Sequence, residues 1–500
     1  MILNLRKMKN RHYIILLLLS VFASACSDKF INFTPPSINS AEGFFNTKEG
    51  VDQAVIGAYN GLQEVEASNF AELMNEERSD NVWTPSVVSS YNDLSVQKFL
   101  VSSSEPFLDD AWSDTYDVIH RCNLVLENIG SVSFSDTTLK SQYIGQMEFI
   151  RALMYFDLVR YFGGVPLVTK SVTPEEATKI KRATVQETYN LIINDLKDAI
   201  NRLPKTYAGA DIGRATKYSA EGLLGRVYVA MGGYPLKAPM WSAAKGLFED
   251  IISSGQFQFL PTYAGVFNLA NENGPQCVFY VQFKAGANDV GNPIPTRNAD
   301  NDVNPSTFPF GGSPDAPIVS QDLIDSYEPG DVRYAHDIRL KWVNKSGDTV
   351  SNLPTIQKFA QGTPAKASDW DINWPVIRYG DVLMMYAECL NELGYDPNGQ
   401  AMQILNMVRT RAGLPSKTPA EIPNQQAFRA AMEEERRHEF VGENFRWNDL
   451  VRTDMAFDTM KHFLGEFGMG NNLKSRDQYL YPIPLQVLEV NPSMSQNPGY

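Results

Sequence analysis

Helical periodicity governs two stretches of this chain, residues 46–255 and 375–455, and fails between them. Amphipathic helices joined by short Gly or Pro turns cannot bury their apolar faces singly, so they should stack as antiparallel pairs into a curved scaffold. The first helix is expected from Asn46, with Glu49 completing a capping box and Val51, Val55, Ala58 and Leu62 on one face. Others are expected from Asp110 to Ile129 and from Leu139 to Tyr161. The best delimited starts at Thr184, which is followed by Glu187, and stops at Pro204. Thr216 to Met231 ends at Gly232-Gly233, and Trp241 to Ile252 supplies a shorter partner. Pro375 to Leu393, Ala401 to Arg411 and Gln425 to Glu443 complete the helical set. With 43% hydrophobic residues, the chain can bury a large core.

Between the two stretches, Gly, Pro, Asn and Asp gather in long segments, notably 285–293 and 301–312, with one strand candidate from Cys277 to Phe283. Long ordered loops on a helical body are places where binding residues collect. The chain therefore reads as 46–255 helical scaffold, 256–374 loop-rich ligand-binding region and 375–500 C-terminal helical part packing on the scaffold.

The N-terminus carries Arg6, Lys7, Lys9 and Arg11, then an apolar run from Tyr13 to Phe22 and the small residues before Cys26. That run is shorter than the roughly 20 residues a membrane span needs, and it fits the apolar part of a secretory leader. Residues 1–25 are expected to be a lipoprotein signal peptide, Cys26 the lipidated residue and 26–45 a tether. One departure is Ala23, where leucine is commoner in such signals. Without the leader, 58 acidic residues face the basic residues that remain, a net charge of about −18. No basic stripe offers itself to phosphates, which argues against nucleic acid as a partner. Beyond Cys26, the three cysteines Cys122, Cys277 and Cys389 lie far apart, so no disulfide framework is expected. Cys122 and Cys389 read as buried hydrophobes.

Two constellations invite a chemical reading. Glu435, Glu439 and Glu443 repeat at i, i+4, a spacing that stacks carboxylates as in a glycoside hydrolase pair. Arginines at 378, 409, 411, 436, 437, 446 and 452 favour a structural ion network instead, because opposite charge would spoil a general acid. Asp300, Asp302 and Asn304 open like a calcium loop. Pro305 and Gly311 occupy the positions that an EF-hand reserves for glycine and glutamate, which excludes that motif.

Longer motifs resemble the SusD/RagB family of surface nutrient-binding lipoproteins along nearly the whole mature chain. They are Glu148-Phe-Ile-Arg-Ala-Leu-Met-Tyr-Phe-Asp-Leu-Val-Arg-Tyr-Phe-Gly-Gly-Val-Pro-Leu167, Gly213-Arg-Ala-Thr216 and Ile377-Arg-Tyr-Gly-Asp-Val-Leu-Met-Met-Tyr-Ala-Glu-Cys-Leu-Asn391. Asn406 to Gly413, Glu435-Arg-Arg-His-Glu439 with Arg446-Trp-Asn-Asp-Leu450, and the ending at Tyr500 continue the match. Asn444 replaces the family's usual glycine, and asparagine tolerates the left-handed backbone needed there.

The resemblance implies a mainly α fold of tetratricopeptide-like helix pairs with a large irregular loop-rich ligand-binding region. It implies a binder, not an enzyme; no cofactor is expected, and calcium binding at Asp300, Asp302 and Asn304 outside the EF-hand pattern stays open. The protein would be held by its lipid on the outer face of the outer membrane and would pass oligosaccharides to a SusC-like TonB-dependent transporter. The alternatives are a peptide-binding member of the same architecture and, from another class, a surface glycoside hydrolase using Glu435 and Glu439. By location alone, the glycan contacts are placed at Asp80, Asn81, Trp83 and Tyr91 in the early loop and at Phe308 and Phe310 in the Pro-rich loop, because aromatic faces stack on sugar rings and short polar groups bond hydroxyls. Trp370 and Trp374 read as structural.

Overall fold

Thr47 closes the first turn of the first helix by accepting the Gly50 amide on its hydroxyl, 3.1 Å away, so α1 runs Lys48–Glu66 and the box from Asn46 to Glu49 is not the one used. This computed structural model describes residues 45–83, 91–286, 290–364 and 366–500, without the side chains of 91–93. Cys26, the leader and nearly all of the tether lie outside the described residues, as does the side chain of Tyr91.

After α1 come α2 (Asn69–Asn75), α3 (Pro106–Asn128), α4 (Thr137–Phe162), α5 (Val185–Arg202), α6 (Lys217–Gly232) and α7 (Trp241–Ser253). From α3 onward each packs on the next, and α1 lies against α3, which is the expected array of helix pairs. The capping box at α5 forms as read: Thr184 Oγ1 accepts the Glu187 amide at 3.2 Å, and Glu187 returns an oxygen to the Thr184 amide at 2.8 Å. Ala152 and Phe156 on α4 are both buried, and Gly163 ends that helix at a φ of 75°. The next residue, Gly164, admits no side chain, since a Cβ there would stand 2.0 Å from the Ala183 carbonyl oxygen. Cys122 and Cys389 are buried as expected, and among the described residues the three cysteines are free.

The main correction lies at 374–378. Instead of opening a helix at Pro375, Trp374–Arg378 is a fully buried strand, paired antiparallel with Cys277–Val281. These are β6 and β1. Between them lie the short pairs β2 (Ile338–Arg339) with β5 (Thr355–Ile356) and β3 (Trp342–Val343) with β4 (Thr349–Val350). The boundary expected at 374/375 thus falls inside a strand, and one hydrophobic core runs through all three expected segments, from Val51 to Met494, and takes in Phe45 at the end of the expected tether. Trp370 and Trp374 are buried in it.

The helices that follow are α8 (Tyr379–Gly394), α9 (Gln400–Arg411), α10 (Gln425–Glu439), α11 (Arg446–Arg452) and α12 (Ala456–Glu466). α7 packs on α8, which joins the last helices to the scaffold. α10 stops four residues short of the expected end, because the chain turns through left-handed backbone at Gly442 (φ 73°) and Asn444 (φ 62°). Among the described residues, no helix is long and apolar enough to cross a membrane.

Beneath α10 lies a buried cluster of charge. Glu435 meets Arg333 at 2.6 Å and Arg409 at 3.3 Å; Glu439 meets Arg378 at 2.8 Å and also Arg411; Glu443 meets Arg378 and Lys358, each at 2.8 Å. Asp331 and Asp337 pair with Arg333 and Lys358 from the other side. Burial opposes the ionisation of Glu439, but Arg411, Arg378 and Arg333 outweigh it and hold the carboxyl well below its ordinary range. Removing one partner of such a set leaves an uncompensated buried charge, at a cost of about 3–5 kcal/mol. Glu439→Gln should therefore lose roughly that much stability in denaturant unfolding.

Acid should weaken the same region. His438 stacks on Tyr327 at 4.4 Å and shares a 2.8 Å hydrogen bond with Ser326 Oγ. Burial, together with Arg333 and Arg437, pushes its imidazole down to about 2. The unfolded chain takes up that proton near pH 6.5 and the folded chain does not, so this contribution is complete above pH 6.5 and is lost as pH falls toward 2. Urea unfolding between pH 7 and 4 should show that decline. His438→Gln should reduce its slope by up to about 1.4 kcal/mol per pH unit.

Candidate functional site

After α2 the chain enters a buried turn from Glu76 to Val82 and emerges at Trp83, whose amide donates to the Ile318 carbonyl at 2.8 Å. The early loop is thereby fixed to the irregular region, with Val82 bridging Val319. The polar residues expected there to meet a ligand are committed elsewhere. Asp80 takes a two-pronged contact from Arg446, 2.7 Å on each arm, and a third from Arg437 at 3.1 Å. Burial works against its charge, yet Arg437 and Arg446 hold its carboxyl well below the usual range. Asn81 donates to Glu76 at 2.8 Å and accepts from Arg437 at 2.9 Å. Asp80 braces α10 and α11 against the early loop and Asn81 braces α10, which corrects their expected role.

Trp83 is half-buried and stacks on Phe467, with ring centres 3.8 Å apart and planes 16° apart; Phe463 meets it edge-on. Phe467 caps α12 and is 38% exposed, so the aromatic surface here is a pair. The sequence reading did not include Phe467. Its signal was the i, i+4 spacing of Phe463 and Phe467, the spacing of neighbours on one helix face.

Phe308 and Phe310, two residues apart, have opposite fates. Phe308 is buried, its ring 5.1 Å from that of Trp370, with the Arg339 guanidinium 5.0 Å above it. It holds the loop to the core and presents no face to a ligand, a second correction. Phe310 is 57% exposed and adopts a φ of 67°. A bulky residue with positive φ is uncommon and carries a conformational cost, so its presence at a loop tip is a functional signal. The tip is held firmly: the Gly311 amide donates to the Phe308 carbonyl at 3.2 Å, the Ser313 amide to Ala299 at 2.7 Å, and a Cβ on Gly312 would lie 1.8 Å from the Ala299 oxygen. Exposed Asn301, Ser306 and Thr307 flank it in the same loop. The arrangement offers an aromatic face beside short polar groups on a rigid turn.

Asp300 and Asn304 spend their side chains on this loop's own amides, those of Asp302 at 2.8 Å and Ser306 at 2.9 Å. Among the described residues, no group of three or more His, Cys, Asp or Glu side chains is placed to hold a metal ion. The hydrolase pair is also disposed of by geometry. Glu435 and Glu439 are sealed beneath α10 in ion pairs, out of reach of a polymer chain. A cavity of about 650 Å³ opens between the end of α6 and the helices α8 and α10, and none of the residues named above as ligand contacts lines it.

Comparisons with known proteins agree with this architecture. A family model described as "SusD family" matches residues 339–500, and one described as "Starch-binding associating with outer membrane" matches residues 29–229. The SusD-like protein P25 of Formosa agariphila is 27% identical, over 97% of this chain and 99% of its own. The starch-binding protein SusD of Bacteroides thetaiotaomicron is 27% identical over 47% of this chain and 44% of its own. A solved SusD superfamily protein from Parabacteroides distasonis has a TM-score of 0.77 and 26% identity, covering 91% of this chain and 99% of that one.

The two phenylalanines should separate in a stability assay. Phe308→Ala should cost about 3–5 kcal/mol in denaturant unfolding, as truncation of a buried aromatic does. Phe310→Ala should leave stability within about 0.5 kcal/mol of the parent chain.

Proposed function

Because the chain belongs to the SusD/RagB family, we propose that it is a glycan-binding lipoprotein of the outer membrane that captures oligosaccharides without cleaving them. Cys26 carries the lipid, and the folded body stands on the outer face of the cell. A SusC-like TonB-dependent transporter receives the captured ligand. The description of the family model over residues 29–229 and the name of the Bacteroides relative support glycan as the ligand class and the outer membrane as the location.

The observation that carries the reading is Phe310, an exposed ring fixed on a turn next to Asn301, Ser306 and Thr307. Stacking of such a ring on a sugar C–H face, with hydroxyls bonded by the neighbouring polar groups, is the chemistry of a small pre-formed binding surface. Trp83, backed by Phe467, is proposed as a second aromatic contact. Buried Glu435 and Glu439 support binding without hydrolysis.

Isothermal titration with a panel of oligosaccharides tests this. At least one glycan should bind, and Phe310→Ala should weaken it about tenfold, a loss of about 1.4 kcal/mol. Silence across the panel, or unchanged affinity in Phe310→Ala and Trp83→Ala alike, would reject the reading.

A further inference from the structure

Arg339 stands apart from the other arginines of the described residues. Each of the others donates to a carboxylate or a carbonyl; even those without an ion pair do so, Arg78 to Gln478 O at 2.9 Å and Arg182 to Gly164 O at 2.7 Å. The side chain of Arg339 makes neither kind of contact; its interaction is with the ring of Phe308, 5.0 Å below the guanidinium. Burial pulls its pKa down, and no neighbouring carboxylate answers it. In a chain with 58 acidic residues against 44 basic ones, Arg339 is the exception among the arginines of the described residues, a half-buried guanidinium left without an acceptor.

Its place in the fold gives the exception a use. Arg339 ends β2, which β5 holds in register, so the backbone beneath it is fixed. Phe308, under its guanidinium, begins the turn that carries Phe310. The side-chain nitrogens are not among the sealed atoms lacking partners, so the half-buried guanidinium reaches solvent, and it lies over the ring two residues before Phe310. Its planar donor fork matches two oxygens of a carboxylate or a sulfate ester. A partly desolvated cation gains more from such a partner than an exposed lysine does.

Building on the glycan reading above, we propose that Arg339 is a specificity-determining residue that directs this face toward acidic glycans bearing a uronate carboxylate or a sulfate ester. The net negative charge of the protein repels such ligands at long range, and beyond about 8 Å that repulsion is largely screened at physiological ionic strength. At contact the unpaired guanidinium decides.

The test is an array of matched neutral, uronate-containing and sulfated oligosaccharides, followed by calorimetry on the glycans that bind. The bound set should be enriched in acidic members, and the uronate and sulfate arms identify the anion. Arg339→Met should lower affinity for the acidic glycan tenfold or more, with the thermal midpoint unchanged. Arg339→Lys should restore part of that loss. Affinity should also fall as salt rises in the parent chain, and much less so in Arg339→Met. A bound set made only of neutral glycans, or acidic binding that Arg339→Met leaves intact, overturns this proposal and leaves the glycan reading standing. An array with no binding at all overturns both.

Discussion

Charge buried beneath α10 is the constraint on which the rest of the molecule depends. The carboxylates of Glu435, Glu439 and Glu443 come from the end of one helix and the turn after it, and their cations come from scattered places: Arg333 and Lys358 from the irregular region, Arg378 from β6, Arg409 and Arg411 from α9. In a dry interior an unpaired member is expensive, whereas the complete set roughly breaks even against an apolar core. The cluster therefore contributes little net stability, and its effect is to make misplacement costly. Arg437 and Arg446 extend the same logic to the early loop through Asp80, so both loop systems are referenced to one helix.

What could be read from the sequence was what its local chemistry specifies. Thr184, Glu187 and Pro204 mark a helix completely, because caps and breakers act within a turn or two. The array of helix pairs was legible for the same reason, and long motifs carried the family resemblance. Trp374 to Arg378 was misread because an apolar run of that length suits a buried helix or a buried strand equally, and the partner that decides, Cys277 to Val281, lies far away in the chain. Pairings of that kind leave no periodic trace.

The proposed binding face shows the same division. Sequence located the loops and the residue types but not which way each ring turns. Phe308 and Phe310 share a loop and a chemistry, and only the closed turn from Phe308 to Gly311 sends one inward and the other out. Asp80 and Asn81 looked like ligand contacts because they are polar and stand near a loop. Their partners at Arg437 and Arg446 are contributed from the far end of the chain, and sequence alone could not assign those pairs. Phe467 was missed because its meaning depends on Trp83 lying flat against it.

The pairing of β1 with β6 bears on how such a protein can diversify. The two strands bring residues 277–281 and 374–378 side by side, so the segment between them leaves the scaffold and returns to it at one place. Lengthening a flexible loop whose ends are already joined costs only a slowly rising logarithm of its length. Exposed turns that give nothing to the core or to the charge cluster, such as the tip at Phe310, are thus free to be rewritten, lengthened or replaced while the helices behind them keep their packing, and the same body can be refitted for a different ligand.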